Sequence, residues 1–534
     1  MKEQVFDFVV IGSGFGGSVS AMRLAEKGYH VLVLERGKRY NASDYPRTNW
    51  NVRKFLWLPA LRCFGIMGIN LFKDILVLNG SGVGGGSLVY AGVMLRPDKS
   101  FFQVAAWRDL ADWESELASH FDMAEKMMGV TDNPRLGAAD HICRDIATEL
   151  GREDTFGPTP VSVYFGEPGV TVSDPYFGGS GPARTGCTFC GNCMVGCRNN
   201  GKNTLDKNYL YFAEQYGAEI WAEANVELIR PYTTPQSDDA RYEITYKQST
   251  AWLDRRQRYV RARNVVVAAG VLGTLELLLH CRDRRKTLPD LSPQLGMVVR
   301  SNGEALLGVT ARHEEADFSQ GVAITSSFWV DDETSIEPAR YARGSSFMRN
   351  TAVPLNGYQG SVPKRMGQLA GHILRHPRDF LKAHLLPDWA RDSTIFLVMQ
   401  TTENRMRLLP GRGMLGSRLV SECDEDYPIQ AVVEAARPVL ERFAERVDGI
   451  PQAMFNEVLL DTPSTAHILG GCTIGRDASQ GVVDINQEVF NYPGLYVVDA
   501  SVIPANLGVN PSLTVLALAE RAMQRIPAVN GGSL

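Results

Sequence analysis

Residues 6–35 read FDFVVIGSGFGGSVSAMRLAEKGYHVLVLE, and their reading decides the fold. Phe6 to Ile11 is an apolar run broken by one charge, Asp7, and it suits a buried strand. The turn Gly12-Ser13-Gly14-Phe15-Gly16-Gly17 follows at once, and then a helical stretch from Ser18 to Lys27 with Val19, Met22, Leu24 and Ala25 as its apolar positions. A second strand, Tyr29 to Leu34, ends on Glu35. Each part has a task in a dinucleotide site. Gly12 makes the tight turn, Gly14 lets the backbone approach a pyrophosphate, and Gly17 lets helix and strand pack closely. Phe15 and Gly16 sit where unpaired N–H groups and the helix dipole favour phosphate. Glu35, 18 residues past Gly17, can take both ribose hydroxyls and would repel the 2′-phosphate of NADP. The motif alone does not choose between FAD and NAD.

The chain has 534 residues, too many for one core and suited to two large intertwined domains. Hydrophobic content of 44% and charged content of 22% are ordinary for a globular protein, and a net charge of −5 gives no case for nucleic acid. No uncharged apolar run reaches the ~18 residues a bilayer span needs, and the first strand begins by Val5 or Phe6, so the expectation is a cytoplasmic protein. Nine cysteines fit that compartment if they are reduced or bound to something.

Outward from the fingerprint, residues 46–75 mix Trp50, Phe55, Trp57, Leu61, Phe64 and Met67 with Arg47, Arg53, Lys54 and Arg62. They read as an irregular packed loop or as a lid over an apolar site, with peripheral membrane contact as the outer option. Residues 79–93, NGSGVGGGSLVYAGV, form a second glycine loop containing Gly82 and Gly86, whose backbone can press on a flat ring or a phosphate. Residues 98–150 are helical and amphipathic; 151–186 look like a long loop. Cys187, Cys190, Cys193 and Cys197 have the C-x2-C-x2-C-x3-C spacing of a bacterial ferredoxin run, with Arg198 where proline usually follows. One reading is an iron–sulfur cluster: a cubane with Cys197 or a distant Cys143, Cys281 or Cys423 as fourth ligand, or an incomplete three-iron cluster. The other readings are zinc, reduced structural thiols or a local disulfide. A helix over 203–217, a strand over 218–222 and a meander from 226 to 263 lead to VVVAAG, a buried strand over 265–270 that passes Ala269 into a helix at 274–280. Strand-like runs at 306–312, 321–330 and 394–402 make a mixed sheet with helices, and 363–391 is a second basic amphipathic patch, read as core or lid before membrane anchor.

Near the C-terminus stand TAHILGGCTIG from Thr465, YVVDASVIP from Tyr496, and NLGVNPSLTVLALAERAMQR from Asn506. Pro511 opens a helix whose positive end faces what precedes it. His467 reads as a structural hydrogen bonder or a site residue, and Asn510 as a helix cap or a site residue; the residues alone leave both open.

These pieces, in order over the whole chain, resemble the glucose–methanol–choline oxidoreductases, and within them the cholesterol-oxidase-like branch with non-covalent FAD. The motifs carrying the resemblance are the fingerprint, GSGVGGGSLVYAG, VVVAAGVLGT, HILGGC and YVVDASVIPANLGVNPSLTVLALAERA. The resemblance implies FAD rather than NAD, with Gly86, Val226, Asp499 and Ala500 along it beside Gly12, Gly14, Phe15, Gly16, Gly17, Glu35, Gly82 and Ala269. It implies that His467 and Asn510 hold a substrate hydroxyl, and that Glu337 corresponds to the glutamate that shifts a sterol double bond. Tyr90 stands where that branch has an asparagine.

The implied fold is α/β: a Rossmann-like FAD-binding domain from residues 1–45, 76–100, 205–295 and 460–534, and a substrate domain with a mixed or antiparallel sheet from 46–75, 101–204 and 296–459. The implied reaction is oxidation of a secondary alcohol on a bulky apolar substrate, the 3β-hydroxyl of a sterol or steroid, by hydride transfer to flavin N5. Electrons then pass to oxygen, a quinone or a redox protein. Rival readings are an FAD-bearing lyase or isomerase without net redox, a dehydrogenase of another apolar alcohol passing electrons through an iron–sulfur cluster, and a non-catalytic electron-transfer flavoprotein.

Overall fold

The computed structural model describes residues 5–232, 239–252, 256–313, 317–385, 388–412, 419–431 and 433–529. Two seven-stranded sheets dominate it. In the first, Glu219–Trp221, Val31–Leu34, Val5–Ile11, Arg258–Val267 and Leu495–Val497 run parallel, and Tyr242–Gln248 and Ala224–Pro231 turn back antiparallel at one side. Val9 faces Leu32 on one neighbour and Val265 on the other. Phe8, Val9, Val10, Val31, Leu32, Val33 and Val265 to Val267 are all buried, as parallel strands covered on both faces require. Such a run cannot alternate with polar residues, which is why it reads as continuous apolar sequence. The helix Phe15–Glu26 packs on Ser512–Gln524 and on Tyr209–Gln215. Arg23 donates to the buried Glu520 at 2.7 Å, and Tyr209 donates to the same carboxylate at 2.8 Å, so this helix trio shares one anion.

The second sheet is antiparallel throughout, in the order Ala352–Pro354, Gly449–Met454, Ala305–Ala311, Ser393–Gln400, Thr334–Ala339, Ser326–Trp329, Gly157–Pro158. Strand side chains alternate between faces, and here the alternation divides two tasks. Leu307, Ile336, Phe396 and Val398 enter a core shared with the helices Ala138–Glu149 and Arg437–Arg446, where Phe396 meets Phe443 at 5.0 Å. Leu306, Ala339, Ile395 and Leu397 face a cavity between the sheets. A smaller sheet ties the halves together: Leu76–Gly80 pairs antiparallel with Met67–Leu71 and parallel with Ser464–Thr465. It thus joins residues on both sides of the expected boundary at residue 75.

Several elements differ from the sequence reading. The helix expected over 203–217 is confined to Tyr209–Gln215, because the Asn208 side chain accepts from the Tyr209 N–H and starts it there. The patch at 363–391 is not a single helix, and its end, Trp389 and Ala390, is buried in a small core with Phe55 and Tyr341. Pro377 starts a second helix, so the patch becomes Val362–Arg375 and Pro377–His384. No residue of Val362–Arg375 is buried, and Leu374 is 82% exposed. Among the described residues no helix is long and apolar enough to cross a membrane.

Candidate active site

Glycine geometry builds the first half of the site. Gly12 has φ +98°, and a β-carbon there would collide with the Ala268 carbonyl; one on Gly16 would strike the Val498 carbonyl, and one on Gly17 the Gly12 carbonyl. These three let the first helix close on the sheet. At Gly14 a β-carbon would meet nothing within 4 Å. The chain is therefore tight behind the turn and open in front of Gly14, as a turn that receives a pyrophosphate must be. The two glycine loops press together, since a β-carbon on Gly85 would hit Gly14.

A cavity of about 480 Å³ begins here and reaches the antiparallel sheet. Gly12, Gly14, Phe15, Gly16, Glu35, Gly86, Val226, Ala269, Asp499 and Ala500 all line it. Gly17 and Gly82 lie outside its wall. Gly17 serves helix packing, and Gly82, at φ +136°, donates its N–H to Glu35 at 3.3 Å instead of facing the cavity. The Glu35 carboxylate also accepts from Ser13 Oγ at 2.7 Å, Ser13 N at 3.1 Å and Gly37 N at 2.7 Å. A ribose hydroxyl would share these lone pairs rather than find them free. Asp499 accepts from Ser501 and Thr274, and burial pushes its carboxyl above the ordinary range. Pro511 and Ser512 bring the N-terminus of the last helix to the wall, where it favours negative charge. An open phosphate turn, a buried acid beside it and a helix start opposite fit FAD.

The second half is an apolar chamber of Met67, Leu306, Ile324, Tyr341, Met348 and Leu397, with His467, Glu304 and Asn510 as polar groups in the same wall. His467 Nδ1 lies 2.5 Å from Glu304 Oε1. The other oxygen of Glu304 accepts from Ala466 N at 2.6 Å, His467 N at 3.2 Å and the Thr465 hydroxyl. Burial works against charge on His467, but Glu304 outweighs it and holds the imidazole above its ordinary pKa. With Nδ1 committed to Glu304, Nε2 is the nitrogen left for the chamber.

Asn510 does not cap the last helix. That helix runs Ser512–Gln524 after Pro511, without a side-chain cap. The Asn510 amide donates to Glu337 Oε2 at 3.2 Å, while its Oδ1 and Glu337 Oε1 are buried with no partner among the described residues. Glu337 stands behind Asn510 and outside the cavity wall. Burial raises its carboxyl to about 7, against the pull of Asn510 and His467.

One short segment holds both polar loops. Ser301 O accepts from Thr465 Oγ1 at 2.9 Å, and Asn302 Oδ1 accepts from Leu507 N and Gly508 N at 2.8 and 3.1 Å. Asn302 Nδ2 donates to Val509 O at 3.0 Å, and Glu304 clamps 465–467. Sequence reading missed Asn302 and Glu304. Their only local signal is an acid at the head of the apolar strand Ala305–Ala311.

Tyr90 lines the cavity, with its ring 5.7 Å from Phe15 and its hydroxyl donating to Asn203 O. The metal expectation for Cys187, Cys190, Cys193 and Cys197 is not met by a single-ion site. Among the described residues no three histidine, cysteine or acidic side chains gather as ligands of one ion, and all nine cysteines are free thiols.

Residues 420–519 match the family described as GMC oxidoreductase, and 10–55 match an NAD(P)-binding Rossmann-like domain. The chain is 42% identical to the cholesterol oxidase of Acinetobacter baumannii over 98% of its own length and 94% of that protein's. It is 42% identical to the cholesterol oxidase of Mycobacterium tuberculosis (strain CDC 1551 / Oshkosh), over 98% and 91%. Its fold is similar to that of pyridoxine 4-oxidase from Mesorbium loti, with a TM-score of 0.63 at 16% identity over 99% of this chain and 100% of that one.

Proposed function

Because the chain belongs to the GMC oxidoreductases and is an FAD-dependent alcohol oxidoreductase, we propose that its alcohol is secondary and carried on a bulky apolar body, the 3β-hydroxyl of a sterol or steroid. The apolar chamber ending in one imidazole and one carboxamide carries this reading. The names of the two 42%-identical relatives support it. Bound FAD supplies the hydride acceptor, at N5 of its ring. His467 Nε2 takes the hydroxyl proton, and Glu304 steadies the imidazolium that results. The hydroxyl oxygen needs a donor once its proton leaves, and the Asn510 N–H is the nearest candidate. An ionised Glu337 ties that N–H up; a protonated Glu337 donates to Asn510 Oδ1 and frees it. The chamber walls exclude water and fix the carbinol carbon, which is worth several kcal/mol in a well-oriented reaction, on the order of 7–11 at most.

Glu337 reaches the chamber only through Asn510, since it stands outside the cavity wall and accepts from that side chain. Electrons leave to oxygen or to another acceptor. Anaerobic mixing with a panel of 3β-hydroxysterols, long-chain primary alcohols and small polar alcohols tests the reading. Bleaching of the flavin by sterols at least about tenfold faster than by the others is the expected result. Bleaching by the small polar alcohols alone would overturn it.

A further inference from the structure

The cysteine run was left over by the site just described, and its surroundings are specialised. All four thiols, Cys187, Cys190, Cys193 and Cys197, line one small cavity with Val163, Thr188 and Lys202. Among the described residues no three such side chains gather on one ion, whereas in a cubane each thiolate takes a different iron.

The sulfurs already receive hydrogen bonds. Phe189 N donates to Cys187 at 3.4 Å, Lys202 N to Cys197 at 3.4 Å, and Asn199 Nδ2 to Cys190 at 3.6 Å. Phe189 holds φ of 55°, a left-handed conformation that a bulky side chain rarely adopts. At Phe189 the strained residue is the one whose N–H points at sulfur. Lys202 is 1% exposed, and its ammonium donates to the carbonyls of Leu88, Tyr90 and Cys193 at 3.0, 3.1 and 2.7 Å, none of which carries formal charge. Asp206 and the Cys193 and Cys197 thiols already act on that ammonium, and a cluster held by the four thiolates adds negative charge beside it.

We propose that Cys187, Cys190, Cys193 and Cys197 ligate a [4Fe–4S] cluster in this cavity, with Lys202 balancing its charge. The structure answers which thiol is fourth, because Cys197 lines the same cavity while Cys143 and Cys281 are buried elsewhere. The site adjoins the cofactor cavity: Met194, next to Cys193, and Tyr90, whose carbonyl accepts from Lys202, line that cavity.

Anaerobic reconstitution of the FAD-loaded protein with ferrous iron and sulfide tests this. About four irons and four sulfides per chain, with a low-temperature EPR signal after dithionite, are expected. Cys187→Ser, Cys190→Ser and Cys197→Ser should each lose most of the iron while keeping FAD, and the exposed Cys423→Ser should keep both. FAD-loaded wild type with under about 0.2 iron per chain, or with one zinc and no sulfide, would overturn the proposal. If the serine variants fail to fold, the wild-type iron and sulfide count decides alone.

Discussion

Glu304 sets the chemistry of His467 although it never touches the substrate in our scheme. It raises the imidazole's pKa, so proton acceptance by Nε2 switches on as pH rises through that raised value. Glu304→Gln removes the pull, and the acid limb of kcat/KM should move to lower pH, with a lower plateau because the ring orientation is lost; a pH–rate profile measures both. His467→Ala should lower turnover by about 10²–10⁴-fold with FAD content unchanged, read by steady-state kinetics and the flavin spectrum. Glu337 acts on stability as well. Its carboxyl is raised from 4.5 to about 7, so the folded state keeps a proton that the unfolded state has lost. That stability is present below pH 4.5 and disappears as pH climbs to about 7. Glu337→Gln should remove the decline, worth roughly 2–3 kcal/mol, in chemical denaturation at pH 5 and pH 8. Of these residues, His467 and Asn510 were legible only through family resemblance. Glu304 and Asn302 were not legible at all, because their partners lie more than 160 and 200 positions away.

The fingerprint turn separates packing from binding within six residues. Gly16→Val would drive a side chain into the Val498 carbonyl, so the helix Phe15–Glu26 could not seat and soluble protein should be lost. Gly14→Ala meets open space, so the protein should fold with its melting temperature nearly unchanged when FAD-free. Its FAD affinity should drop at least about tenfold, because the methyl stands where phosphate approaches; titration by flavin fluorescence checks it. Strands were readable here because buried parallel runs are apolar without a break and the antiparallel ones alternate. Ends of helices were less so. Ser512–Gln524 was anticipated, but Asn510 was drawn from the cap position by Glu337, a tertiary contact that no local rule contains.

Across the whole molecule, two sheets hold a cofactor cavity continuous with an apolar chamber, and the largely exposed amphipathic pair Val362–Arg375 and Pro377–His384 lies at the edge of the second core, against which Leu369 packs. The second helix packs near Phe347–Thr351, whose Met348 lines the chamber. Leu374→Ser with Leu385→Ser, at 82% and 61% exposure, should leave stability within about 0.5 kcal/mol. Vesicle sedimentation of wild type and this variant tests whether the face meets lipid, and equal sedimentation of the two excludes it. This face was legible as basic and amphipathic, but that no residue of Val362–Arg375 is buried depends on neighbours the sequence does not name.

The parallel sheet takes Leu495–Val497 beside Arg258–Val267, and its first helix is covered by Ser512–Gln524. A ribosome therefore exposes the apolar flank of the earliest strands through most of translation, since the pieces that shelter it emerge last. Nascent chains of this protein should need chaperone shielding for far longer than their first thirty residues would suggest.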